Sequence, residues 1–199
     1  MLQTDAQEAG RGAVGAWIFR VLLVAGAAFM VYSWFSPWWA ADVAIFEGEN
    51  DLVLHPWGIE TVAEVRAGGD ASLYAMPWFF APFMWAYLTL CMLALAASLF
   101  LKRAIPIGRF KLPVATALIL FVGLSYLVAV GLAYGIGEIR AAAVGTNFIG
   151  KSTFLEVESG AEIKMVSVLK NGYWLALYAG AALSVLGLLR RLIVGKQQE

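Results

Sequence analysis

Residues Leu112–Gly135 read LPVATALILFVGLSYLVAVGLAYG, a run without one charged side chain. An α-helix needs about 20 apolar residues to cross ~30 Å of hydrocarbon, so this run is long enough to span a bilayer. Three further stretches have the same character, at 13–35, 78–101 and 173–194. The sequence therefore predicts an all-α membrane protein, a four-transmembrane-helix bundle that forms one domain over residues 1–199.

The composition supports this class. The chain of 199 residues is 61% hydrophobic and only 14% charged, whereas a soluble domain carries about 25% charged residues. Membrane lipids are therefore its expected surroundings, in the cytoplasmic or inner membrane if the source is bacterial. The formal net charge of zero gives no reason to expect a nucleic acid as partner.

The segments between the spans differ in charge, and this difference predicts their orientation. Residues 102–111 (KRAIPIGRFK) contain basic but no acidic side chains, and both chain ends also carry arginines. Segment 36–77 is rich in Asp and Glu, while 136–172 is balanced. Because basic segments stay in the cytoplasm, we expect both termini to be cytoplasmic and the two longer segments to lie outside.

Both outer segments are predicted to form β-hairpins, which could pair into one small sheet. Apolar and polar residues alternate on either side of short turn-forming sequences, as strands require. The strand-like runs are 42–46 and 51–55 in the first segment and 154–158 and 161–166 in the second. Residues 59–66 (IETVAEVR) are predicted to form about two helical turns.

This layout resembles the claudin-type tetraspan arrangement, which also has four spans, inner termini and a β-rich outer face. In that family the first outer loop carries a Trp…Gly-Leu-Trp pattern followed by a pair of cysteines. Trp38, Trp39, Trp57, Gly58 and Ile59 are similar to the aromatic part of the pattern, but both cysteines are absent. No residue role is transferred, and the three tryptophans are interpreted as candidate contacts for a partner on the outer face.

Arg20 is the only charge well inside a predicted span. It lies about seven residues, or ~10 Å, from the inner start of that span. Such an arginine either extends its side chain to the lipid headgroups or meets a buried carboxylate or lipid phosphate. Arg20 is therefore a candidate buried charge or lipid contact.

Small residues recur at helical spacing in two spans. Gly131 and Gly135 lie four residues apart in the third, and Ala176, Gly180 and Ser184 form a stripe in the fourth. Small side chains let helix backbones approach closely in lipid, where no hydrophobic force drives association. They are predicted to pack either against helices of the same bundle or against another subunit.

No catalytic, cofactor-binding or metal site is predicted. His55 is the only histidine and Cys91 the only cysteine, too few for a self-contained metal or haem site. Residues 145–152 (GTNFIGKS) match the spacing of a phosphate-binding loop. Such a loop follows a strand and opens a helix, whereas strand-like residues follow here, so we interpret the match as coincidence.

The sequence favours a non-catalytic integral membrane subunit, or an accessory or scaffold protein, of a larger membrane complex. Other membrane protein subunits or further copies of the chain are the expected partners. Two alternatives stay open at this point: a component of an oligomeric channel or transporter, and a small membrane-anchor subunit of a redox enzyme complex.

Overall fold

The computed structural model describes residues 2–44, 51–61, 76–101, 103–107, 110–143, 145–155 and 162–194. Its helices are α1 (Leu2–Phe35), α2 (Phe80–Phe100), α3 (Val114–Ala143) and α4 (Asn171–Val194). Its strands are β1 (Trp39–Val43), β2 (Leu52–His55), β3 (Gly58–Thr61), β4 (Ala104–Ile107), β5 (Phe110–Pro113), β6 (Gly150–Leu155) and β7 (Glu162–Leu169).

All four predicted spans are helices, each long and apolar enough to cross a membrane. This confirms the coarser part of the predicted class, a mainly helical chain with a small antiparallel sheet. The apolar part of α1 covers Val14–Phe35. Helix α3 continues beyond the predicted end at Gly135 to Ala143. The extension reads IGEIRAAA, and its alanines, glutamate and arginine are strong helix formers, so the helix persists where the apolar run ends.

The two hairpins do join in one antiparallel sheet, with the strand order β3-β2-β1-β7-β6. Strand β1 is central and pairs with β2 on one side and with β7 on the other. A second sheet consists of β4 and β5 alone. It was not predicted from the sequence, although its β-forming residues pair across the two strands, Ile105 with Leu112 and Ile107 with Phe110.

Several predicted strand limits were wrong. The first strand covers Trp39–Val43 rather than beginning at residue 42. The predicted helix at 59–66 is also wrong where it can be compared, because Gly58–Thr61 is a strand that pairs with β2. Isoleucine and threonine are β-branched, and β2 offers their backbone a partner, which outweighs a weak helical pattern. Residues 62–66, 45–50 and 156–161, with the turns predicted there, lie outside the described residues.

The chain divides into two compact units. The helix unit comprises 1–31, 88–127 and 177–199, and the sheet unit comprises 32–87 and 128–176.

In the helix unit, α3 and α4 approach closely at their small residues. A Cβ atom added to Gly123 would lie only 2.7 Å from the backbone nitrogen of Ser184 and 3.0 Å from the Gly180 carbonyl oxygen. The Ser184 hydroxyl donates to that same carbonyl over 2.8 Å, so its polar group is satisfied within α4. The backbones can meet here because neither helix presents a large side chain.

Helix α1 packs on α4 in the same unit. A Cβ atom at Gly26 would lie 2.8 Å from Leu183 Cδ2, and one at Gly15 would overlap the carbonyl group of Ile193. Phe19, Leu23 and Met30 on the same helix are buried. On α2, the buried residues within this unit form one stripe with a spacing of three and four: Leu88, Cys91, Leu95 and Ser98.

In the sheet unit, one face of the five-stranded sheet is buried. Its core consists of Trp39, Ala41, Val43, Leu52, Phe148 and Met165, with Ala141 of α3 packed against it. Asp51 is almost fully buried, and its carboxylate accepts the Val43 N–H over 2.7 Å. This bond satisfies the N–H of the last residue of β1 and links it to the residue directly before β2.

Candidate functional site

Aromatic rings from three elements meet in the sheet unit. Trp34, at the end of α1, is fully buried, and its ring centroid lies 6.1 Å from Trp85 of α2. Trp57, in the turn between β2 and β3, stacks on Trp85 with the centroids 5.2 Å apart. We call Trp34, Trp57, Trp85 and His55 the aromatic cluster. It ties the hairpin turn to the ends of two helices through ring contacts.

His55 lies at one side of this cluster. Its imidazole stacks on Trp57 with centroids 4.7 Å apart and planes 12° apart, and only 8% of the residue is exposed. Its Nε2 lies 3.7 Å from a carboxylate oxygen of Glu60. Within the described residues, neither His55 Nδ1 nor Trp34 Nε1 has a hydrogen-bond partner.

The cluster favours a neutral imidazole. Burial lowers the pKa of His55 below its ordinary value, and the nearby Glu60 carboxylate raises it by a smaller amount. Among the described residues, no group of three or more His, Cys, Asp or Glu could hold a metal ion. Because His55 is buried and stacks on Trp57, the packing of the aromatic cluster depends on the charge of this histidine.

This dependence predicts an effect of pH on stability. Because the folded-state pKa of His55 is lowered, the unfolded chain binds protons more readily below about pH 6.5. The contribution of neutral His55 is thus present above that pH and lost as the pH falls through the folded-state pKa. In unfolding measurements in detergent, acidification should destabilise the wild type more than His55→Gln. Equal pH dependence in both proteins would contradict this role.

Trp38 and Trp39 are held inside the sheet unit. They are 3% and 9% exposed, so the chain itself covers most of both rings. Trp38 Nε1 donates to the Ser33 carbonyl over 2.9 Å, and Trp39 Nε1 donates to the Phe148 carbonyl over 2.6 Å. Trp39 also stacks on the Phe148 ring at 5.5 Å. Of the three predicted outer-face contacts, Trp57 is the most exposed, although it too is only partly accessible.

The other face of the sheet carries a feature that sequence reasoning missed. Val166 and Val168 on β7 are each 41% exposed. By register, Val166 lies between Asp42 of β1 and Lys151 of β6, and Val168 pairs with Ala40. Ala40 itself is buried, and we call the exposed residues Asp42, Lys151, Val166 and Val168 the exposed sheet face. The sequence pattern that could have revealed these valines is the alternation in β7, where every second residue points away from the buried core.

The small residues that were predicted to pack against a neighbouring helix differ in their surroundings. Gly180 and Ser184 lie against Gly123 of α3, a position that the sequence analysis did not single out. A Cβ atom at Gly131 or Gly135 would instead meet nothing within 4 Å. Ala176, in the sheet unit, is fully buried.

The segment resembling a phosphate-binding loop has the wrong neighbours for that role. It follows helix α3 and leads into strand β6, the reverse of the strand-to-helix order. The Ser152 hydroxyl accepts the Asn147 N–H over 2.8 Å, and the Asn147 side-chain amide donates to the Lys151 carbonyl. Gly145 and Gly150 adopt positive φ values of 72° and 107°, so they serve the turn into β6.

The candidate features are thus a histidine-containing aromatic cluster, an exposed sheet face and an arginine on α1, Arg20, whose side chain is exposed. Comparison with protein-family models and with curated proteins finds no match for this chain.

Proposed function

We propose that the protein is a non-catalytic integral membrane subunit that binds another membrane protein through its exposed sheet face. In this proposal both termini are cytoplasmic and the five-stranded sheet lies on the opposite side of the membrane. The basic segment at 102–111 and the arginines near the C-terminus support this orientation, since basic segments are retained in the cytoplasm.

The observation that carries the proposal is the composition of the exposed sheet face. A sheet face in contact with water is usually polar, but here two exposed valines lie on β7, the strand next to the central strand β1. Asp42 and Lys151 flank Val166 with opposite charges. Apolar side chains flanked by charged residues are a usual feature of protein interfaces.

The partner is expected to be another membrane protein with a segment on the same side. The valines would pack against apolar side chains of that segment. Asp42 and Lys151 would set its orientation through opposite charges on the partner. The rigid sheet beneath, pinned by the Asp51–Val43 and Trp39–Phe148 hydrogen bonds, holds the surface in shape before binding.

Site-specific photocrosslinking in native membranes tests this proposal. A photoreactive amino acid replaces Val168 in one variant and Val185 of α4 in the control. Val185 is also an exposed valine, 52% accessible, but it lies on an apolar helix rather than on the sheet. We expect one discrete protein adduct at position 168 and none of that mass at position 185. The same adduct at both positions, or none at 168, would reject the proposed docking surface.

A further inference from the structure

Trp57 connects the turn between β2 and β3 to the ends of α1 and α2. Its ring stacks on Trp85 of α2, and its centroid lies 6.4 Å from that of Trp34 and 5.7 Å from that of Phe35, both on α1. Strand β3 is at the edge of the five-stranded sheet, where β2 is its neighbour. The turn and β3 can therefore move away from the helices while β1 stays paired with β7.

His55 extends this stack from the strand β2. Its imidazole is buried and lies parallel to the Trp57 ring, and its Nε2 is 3.7 Å from a Glu60 carboxylate oxygen. Within the part of the chain that the structure describes, its Nδ1 has no hydrogen-bond partner. A protonated imidazole donates from both nitrogens, so a proton on His55 would leave one buried donor unsatisfied.

Glu60 is the charged group that acts on His55 among the described residues. Its side chain is 63% exposed, so solvent screens its attraction for a protonated imidazole. Burial accordingly lowers the pKa of His55 by more than Glu60 raises it. Tyr87 of α2 belongs to the same network of rings through its contact with Trp34, and its phenol is neutral in the range where His55 titrates.

Trp34 makes the contact between the turn and the helices less stable than its rings alone would. The side chain is fully buried, yet its Nε1 finds no acceptor among the described residues. A buried donor without a partner costs free energy, which is recovered when the group reaches water. The closed arrangement is therefore favoured by a smaller margin than ring burial would give.

We propose that His55 is an acid-sensitive latch, in which protonation of its imidazole releases Trp57 and β3 from the ends of α1 and α2. The change takes up one proton from solvent and breaks no covalent bond. In the open arrangement the imidazole is hydrated and binds a proton with its ordinary pKa of about 6.5. The open population therefore grows as the pH falls below that value, because the proton binds the open arrangement more tightly.

Hydrogen–deuterium exchange of the full chain in detergent, at pH 7.5 and pH 5.5, tests the latch. After correction for the intrinsic pH dependence of exchange, amides at 57–61 should lose protection several-fold on acidification, whereas those of β7 should keep theirs. Uptake of one proton limits the loss to about tenfold over this range. His55→Gln should abolish the loss.

Glu60→Gln is a second variant with the opposite expected effect. Its carboxylate offsets part of the charge on protonated His55, so its removal should bring the loss of protection closer to the limit. The matched control is Glu162→Gln, which removes an exposed carboxylate of β7 in the same unit and should behave as the wild type does.

Three results would overturn the latch. One is an undiminished loss of protection in His55→Gln. Another is an equal loss at 57–61 and in β7, which would show a general loosening of the sheet unit. The third is a loss in Glu60→Gln no larger than in the wild type, and this comparison decides alone if His55→Gln does not elute as a monodisperse protein.

Discussion

Replacing Gly123 with alanine is expected to lower the free energy of unfolding by roughly 3 kcal/mol, at the upper end for an overpacked core. The new methyl group would lie 2.7 Å from the Ser184 backbone nitrogen, an atom that cannot rotate away. Helices α3 and α4 would have to separate along their contact. Unfolding of the purified protein in mixed micelles, titrated with denaturing detergent, measures this change.

The matched control is Gly131→Ala on the same helix. A Cβ atom there meets nothing within 4 Å, and alanine has a higher helix propensity than glycine. We therefore expect a change within about 0.5 kcal/mol of the wild type, since surface substitutions away from special features have small effects. Similar destabilisation by both substitutions would show that the α3–α4 approach at Gly123 is not what stabilises the helix unit.

Replacing Trp39 with alanine is expected to cost about 3–5 kcal/mol, the range for removal of a large buried aromatic side chain. The ring packs in the core of the sheet unit and stacks on Phe148. Its Nε1 also donates to the Phe148 carbonyl, which would lose that donor. The same detergent unfolding experiment, followed by circular dichroism, measures the loss.

Trp39→Phe separates packing from hydrogen bonding at this position. It retains an aromatic ring but removes the indole N–H, so we expect a loss of about 1–2 kcal/mol, less than that of Trp39→Ala. If the alanine variant were as stable as the wild type and lost only partner binding, Trp39 would act at an interface rather than in the core.

The helices could be predicted because each apolar run has the length of about 20 residues that a helix needs to cross a bilayer. Four helices of this length and apolar character are present. The sheet was predictable in outline from the alternating residues of two hairpins. Strand β3 was missed because four residues carry too little periodicity, and its partner β2 decides its structure. Local sequence does not contain that information.

The candidate sites were less predictable, since they depend on residues distant in sequence. Trp34, Trp57 and Trp85 belong to three different elements, and only the fold brings their rings together. Gly180 and Ser184 could be found as a small-residue stripe, but their neighbour Gly123 could not, because it is an isolated glycine in an apolar run. Likewise, the hydrogen bonds of Trp38 to Ser33 and of Trp39 to Phe148 depend on the fold and could not be found from the sequence.

We propose that the five-stranded sheet lies outside and that the basic β4–β5 hairpin lies in the cytoplasm. Single-cysteine labelling tests it directly. Cys91 is buried and the only cysteine, so Cys91→Ala provides the background. Thr153→Cys reports on the sheet and Arg103→Cys on the hairpin, and both positions are exposed.

A membrane-impermeant maleimide is added to intact cells and, separately, to permeabilised cells. We predict that the cysteine at position 153 reacts in intact cells and that the one at position 103 reacts only after permeabilisation. Labelling at 103 but not at 153 in intact cells would contradict the orientation. Equal labelling of both before permeabilisation would contradict the membrane-spanning arrangement itself.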